Sequence, residues 1–153
     1  ISALQTELIP LTRVITPNIP EAEILLDGNA ITLQEDMPQA VKALSQRYHT
    51  SVLLKAGHLT EDNLVDYFYD AEQDELTLLP SVRVHTRNTH GTGCTLSSAI
   101  ATYLALDFDI VDAAMRGKLF VTRALQAGAH VTIGRGLGPV NHLFSPRHAK
   151  YIK

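Results

Sequence analysis

Apolar residues along this chain change their period several times, and each change marks an element. Ile1, Leu4 and Leu8 fall on one helical face, a pattern that Pro10 is expected to end. Arg13-Val14-Ile15-Thr16 reads as a short strand stopped by Pro17, and Asn18 then precedes a helix opened by Pro20 and running toward Leu26. Thr32 to Glu35 forms a candidate capping box, after which Ala40, Val41, Leu44 and Tyr48 share one face of a helix from Met37 to Tyr48. Ser51 to Lys55 is a nearly continuous apolar run of strand length, the pattern of a strand buried on both faces of a parallel sheet. Leu64 to Tyr69 and Glu75 to Leu79 flank the polar turn Asp70 to Asp74 and predict a hairpin, with Ser81 to His85 a further short extended piece. Two helices follow, from about Thr92 to Leu106 and about Ile110 to Ala127, then the glycine-rich loop Gly134 to Pro139 and a short basic tail. Strands alternating with helices predict a three-layer α/β arrangement with parallel strands and a small antiparallel margin.

Composition narrows the function classes. A chain of 153 residues, 45% hydrophobic and 19% charged, suits one compact domain. The formal charge of -3 offers no basic stripe for neutralising phosphates along a polynucleotide, so a nucleic-acid partner is not expected. The single cysteine cannot form an internal disulfide and suits a reducing compartment, which points to the cytoplasm. No apolar run reaches the roughly 18 residues of a membrane span, and no basic-then-apolar leader opens the chain. The chain opens on Ile1 without an initiator Met, as if entered midway.

The strongest chemical signal is Asn88-Thr89-His90-Gly91-Thr92-Gly93-Cys94-Thr95, directly ahead of a helical apolar run. Gly91 and Gly93 allow a sharp turn that aims backbone N–H groups at one point, and the helix adds its unpaired N-terminal amides and dipole. That arrangement is an anion cradle. Cys94 sits in the first helical turn, where those amides favour a negatively charged sulfur; a small buried apolar residue is the alternative reading of a lone cysteine. Asn18 and Glu21 place an amide and a carboxylate three residues apart at a strand-to-helix corner, hard oxygen donors suited to Mg²⁺ or its waters, and equally suited to capping the helix. Lys55-Ala56-Gly57-His58 ends the buried strand, so the lysine emerges at the sheet's carboxyl edge, either toward an anionic ligand or simply toward water. His58, His85 and His90 lack the spacing of a zinc site, no particular histidine is placed beside Cys94 as a base, and a Walker nucleotide loop is absent.

Four blocks in order carry a resemblance: Thr16-Pro17-Asn18-Ile19-Pro20-Glu21-Ala22-Glu23, Lys55-Ala56-Gly57-His58-Leu59, Thr86 to Ser97, and Gly136-Leu137-Gly138-Pro139-Val140-Asn141-His142. Together they resemble the hydroxymethylpyrimidine and phosphomethylpyrimidine kinases of thiamine biosynthesis, in the ribokinase-like superfamily. The resemblance implies a ribokinase-like α/β/α fold of which this chain is the C-terminal portion, with the N-terminal half a missing part of a longer polypeptide. It implies transfer of the γ-phosphoryl group of ATP, with Mg²⁺, to a small-molecule pyrimidine and then to its monophosphate. By that resemblance Asn18 and Glu21 organise Mg²⁺ and phosphates, Lys55, Gly57, His58 and Lys118 line the nucleotide site, and Gly91, Thr92 and Gly93 form the anion hole. Cys94 stands where many ribokinase-like sugar kinases carry an aspartate base. Ala56 and Asp107 stand where the family commonly has glycine. A pyridoxal or pyridoxine kinase and a noncatalytic nucleotide-binding fragment are the alternatives, and a homo-oligomer is expected from the family.

Overall fold

The computed structural model describes residues 1–60 and 62–145, so the basic tail lies outside the described residues. The chain forms two compact units, Ile1–Arg83 and Val84–Lys153.

The first unit is built around a four-stranded sheet of order β1-β2-β3-β4, with β1 at Val14–Ile15, β2 at Ser51–Leu54, β3 at Asn63–Asp70 and β4 at Glu75–Val82. β1 runs parallel to β2, while β2–β3 and β3–β4 are antiparallel, so the antiparallel part outweighs the margin expected for it. Helix α1 (Ile19–Leu25) and helix α2 (Met37–Tyr48) join β1 to β2. The predicted face of α2 is the one that packs: Val41 and Leu44 are fully buried, with Ala40, Tyr48 and Met37, against Val52, Leu54, Tyr67 and Tyr69 of the sheet. Strand alternation sends Leu53 and its cross-strand partner Phe68, both fully buried, to the opposite face. All four β2 residues are buried, as the unbroken apolar run predicted.

Three local expectations are corrected. The segment before β1 is helical but not an amphipathic core helix: Leu4–Leu8 is a π-turn and Ile9–Leu11 a 3-10 turn, Leu4 and Leu8 stay exposed, and Ile9 is the buried residue. Pro10 does not end it, because in the first turn of the 3-10 segment no N–H is required of it. The turn that leads into α2 is closed by Asp36 rather than by Thr32 with Glu35. A 3-10 turn at Gln34–Asp36 brings the Asp36 carboxylate back over the Thr32 and Leu33 amides, at 3.2 and 3.0 Å. Ser81 and Val82 are not a separate extended piece but the end of β4, which continues through Pro80.

The second unit is an α-hairpin with the loops at its open end. Helix α3 (Thr92–Ala105) and helix α4 (Ile110–Gly128) approach so closely that a Cβ on Gly117 would lie 2.7 Å from Ile100 Cγ1. Ala113, Ala114 and Ala124 keep the rest of that face flat and fully buried. Asp107 ends α3 with φ of 63°, the left-handed conformation for which glycine is the usual residue and which Asp tolerates better than most. Asp109 then caps α4 by accepting from the Asp112 amide at 2.8 Å. Among the described residues, no helix is long and apolar enough to cross a membrane.

Pro80 sits where the ladder makes it harmless and useful. The Arg83 amide bonds Asp62 O at 2.9 Å, and Val65 faces Pro80 in the same register. Counting back by twos, residues 81 and 79 turn their N–H groups to β3, while 78, 80 and 82 turn theirs outward. Proline therefore removes a donor from the open edge and none from the sheet. Restoring that donor with Pro80→Thr is expected to raise concentration-dependent self-association, read by sedimentation velocity; a variant as monodisperse as the parent would show that Pro80 does not guard the edge.

Candidate active site

In the first unit the parallel strand pair extends one step beyond β1 and β2. Asn18 bridges Lys55 in parallel, and the Lys55 amide donates to Pro17 O at 3.0 Å. The first two sequence blocks thus meet at the carboxyl edge of the sheet, where open α/β sheets bind ligands. The Lys55 ammonium is half-buried and donates to Thr16 O at 2.6 Å, so it stays close to the corner.

Asn18 and Glu21 make a reciprocal capping box. Asn18 Oδ1 accepts from the Glu21 amide at 2.9 Å, and Glu21 Oε2 accepts from the Asn18 amide at 2.8 Å. The structural and metal-binding readings of this pair are compatible, because capping engages only one oxygen of the exposed Glu21 carboxylate. Among the described residues, no group of three or more His, Cys, Asp or Glu gathers as a metal cage. Mg²⁺ needs none when it keeps waters and takes phosphate oxygens beside one carboxylate.

Beyond Lys55 the chain turns. Leu59 N bonds Ala56 O at 2.9 Å, Gly57 and His58 are exposed, and a Cβ at Gly57 would meet nothing within 4 Å. Ala56 is fully buried, and its amide donates to Asp66 Oδ1 at 2.8 Å. Arg83 clamps the same turn through Gly57 O, at 3.3 Å, and Leu59 O. Sequence reading missed Asp66 and Arg83, whose only signals were a charge within the apolar stretch of β3 and a charge just past the end of β4.

In the second unit Gly91 opens α3 with φ 87° and ψ 0°, a conformation that strains any side chain. Thr92 N turns back to Thr89 O at 3.3 Å, and Thr95 N closes the first helical bond on Gly91 O at 2.9 Å. The amides of Gly91, Gly93 and Cys94 have no acceptor among the described residues. Gly93 and Cys94 are exposed, and the Cys94 thiol is free. Three unpaired donors thus stand at the head of a 14-residue helix with a sulfur beside them, the arrangement an anion cradle would need. Lys118 is half-buried on α4, next to the Gly117 crossing.

The fourth block explains why this turn keeps its shape. His90 and Pro139 form a parallel bridge: His90 N donates to Gly138 O at 3.0 Å, and Val140 N donates to His90 O at 3.3 Å. Asn88 is buried and donates both side-chain hydrogens, to Gly128 O and Val131 O, each at 2.6 Å. Asn141 N reaches Ala124 O at 3.0 Å, and Thr95 Oγ1 lies 2.8 Å from His142 Nε2. Asn88, Thr95 and His142 were quoted in the sequence blocks without a role, because the contact between residues distant in the chain has no local signature.

A mixed sheet flanked by helices, with a strand-end corner and a glycine turn opening a helix, is an α/β protein of the ribokinase-like fold, and solved structures agree. The ADP complex of Bacillus subtilis pyridoxal kinase is 32% identical, superimposes with a TM-score of 0.85, and is matched over 97% of this chain and 54% of its own. The family model for phosphomethylpyrimidine kinase matches residues 1–141, and the chain belongs to that family. The hydroxymethylpyrimidine/phosphomethylpyrimidine kinase of Rhizobium meliloti (strain 1021) is 42% identical over 143 residues, 93% of this chain and 53% of that relative. The thiamine biosynthesis bifunctional protein ThiED of Geobacter sulfurreducens is 42% identical over 145 residues, 95% of this chain and 29% of that relative. The chain therefore spans about half the length of the first curated relative and under a third of the second.

The brace makes a stability prediction. A Cβ on Gly138 would stand 1.9 Å from Asn88 Oδ1, whereas one on Gly136 would meet nothing. Gly138→Ala is expected to cost about 3 kcal/mol in urea unfolding, and Gly136→Ala under about 0.5 kcal/mol. Equal costs at the two positions would mean that Asn88 is not held as described.

Proposed function

We propose that this chain is the C-terminal, nucleotide-binding portion of a single ribokinase-like kinase domain that phosphorylates 4-amino-5-hydroxymethyl-2-methylpyrimidine and then its monophosphate. The observation that carries the reading is the set of open amides at Gly91, Gly93 and Cys94 beside an exposed thiol. Phosphoryl transfer passes through a loose transition state in which positioning and charge stabilisation dominate, and preorganised amides are suited to that task. Gly91, Thr92 and Gly93 form the anion hole of the proposal. Cys94, as the thiolate, takes the proton of the attacking hydroxyl and becomes the thiol while ADP departs. Asn18 and Glu21 hold Mg²⁺ through its waters, while Lys55, Gly57, His58 and Lys118 serve the nucleotide. ATP supplies the phosphoryl group, and Mg²⁺ neutralises charge on its phosphates. The place of action is the cytoplasm, and the whole protein is proposed to self-associate.

One observation favours a second acceptor. The 32% identity and TM-score of 0.85 to a pyridoxal kinase are as good a structural match as a shared phosphate-handling half would give, so pyridoxal is the competing substrate. A nucleotide-binding fragment without turnover is the other alternative.

A coupled ADP-release assay with hydroxymethylpyrimidine, its phosphate and pyridoxal separates these readings. Turnover with the two pyrimidines and not with pyridoxal is expected; nucleotide binding with no turnover would replace the kinase by the binding module. Cys94→Ser is expected to lower kcat by about 10²-fold while the KM for Mg-ATP moves by less than about threefold. An unchanged kcat would remove the thiol from the chemistry.

A further inference from the structure

Three hydroxyls on these helices share a habit. Ser97 Oγ donates to Gly93 O at 3.2 Å, Thr102 Oγ1 to Ser98 O at 2.8 Å, and Thr122 Oγ1 to Lys118 O at 2.9 Å. Each folds back on the carbonyl four residues earlier, a bond that competes with the helix ladder and bends it. The carbonyl four residues before Thr95 is Gly91 O, which already accepts the Thr95 amide at 2.9 Å. Thr95 breaks the habit: its hydroxyl lies 2.8 Å from His142 Nε2 instead.

The difference matters because of where Gly91 stands. Its ψ of 0° sets the tilt of the Gly91–Thr92 peptide, and hence the angle between the Gly91 amide and the Gly93 and Cys94 amides beyond it. A second donor pulling on Gly91 O would rotate that peptide and spread the three amides. His142 is held at the required place by its neighbours, through Asn141 N on Ala124 O and the His90–Pro139 bridge. Thr95 is itself buried, so its hydroxyl has few alternatives.

We infer that His142 is a positioning residue for the anion turn: by accepting the Thr95 hydroxyl it reserves the Gly91 carbonyl for the Thr95 amide and so fixes the aim of the open donors. The inference rests on the reading of that turn as a phosphoryl cradle, but its mechanism is testable without turnover. The inference requires Nε2 to be the acceptor, with the ring proton of the neutral form on Nδ1.

The test combines amide hydrogen exchange at Thr95 with phosphoryl-transfer kinetics, on the full polypeptide that carries this chain. His142→Ala is expected to speed Thr95 exchange about tenfold and to lower kcat about tenfold, with the KM for Mg-ATP within about threefold, because donors aimed wrongly fail most in the transition state. His142→Gln, whose side-chain oxygen can accept the same hydroxyl, is expected to keep the Thr95 exchange rate within about twofold. Thr95→Val removes the competing hydroxyl, so adding His142→Ala to it is expected to change neither exchange nor kcat by more than about twofold. Single losses that multiply in the double variant, or Thr95 exchange unmoved by His142→Ala, would overturn the inference. If the parent transfers no phosphoryl group, the kinase reading fails on its own, and the exchange rates still decide the role of His142.

Discussion

Asn88 holds the second unit together at the point where its chemistry is proposed to occur. Its buried carboxamide donates both hydrogens to the carbonyls of Gly128, the last residue of α4, and of Val131 just beyond it, and its oxygen lies against the bare Cα of Gly138. Removing this carboxamide would leave Val131 O short of a donor, at about 1–3 kcal/mol, while Gly128 O would keep only the Val131 amide. Everything nearer the site follows from that anchor. The His90–Pro139 bridge aligns the incoming loop, Gly91 takes its left-handed turn, and the first amides of α3 are left facing outward. The Gly93 and Cys94 donors are open because they belong to the first turn of α3, where no helical carbonyl precedes them.

The first unit reaches a comparable end by different means. A parallel pair of only two residues is extended by the Asn18–Lys55 bridge, which delivers an amide, a carboxylate and an ammonium to one sheet edge. There the same two side chains that cap α1 present oxygen toward solvent, so helix stability and a role in holding a hydrated cation make compatible demands. The two units share a design in which side chains bonded for structural reasons expose a backbone or carboxylate group for use.

What could be read from residues alone was whatever depends on neighbours in the chain. The unbroken apolar run of β2, the polar turn between β3 and β4, the α2 face and the glycine entry to α3 are all local patterns, and all four stand. Asp107 was visible as a departure from glycine at a helix end, and its φ of 63° gives the reason glycine is usual there. The failures came where two local patterns compete. Thr32 with Glu35 satisfies the capping rule as well as Asp36 does, and only the intervening 3-10 turn decides between them. Pro80 reads as a break in the strand until β4 is known to be an edge. The frame around the site was illegible for a deeper reason: Asn88 with Val131, and Thr95 with His142, pair residues more than forty positions apart through side chains that carry no periodicity.

The central claim is that the amides of Gly91, Gly93 and Cys94 grip a phosphoryl group. Amide chemical shifts followed during titration with Mg-ADP and with inorganic phosphate examine it directly. The account predicts that these three resonances move together and saturably, with larger shifts than the amides of the α3 interior. Saturable nucleotide binding that leaves all three unmoved would contradict it.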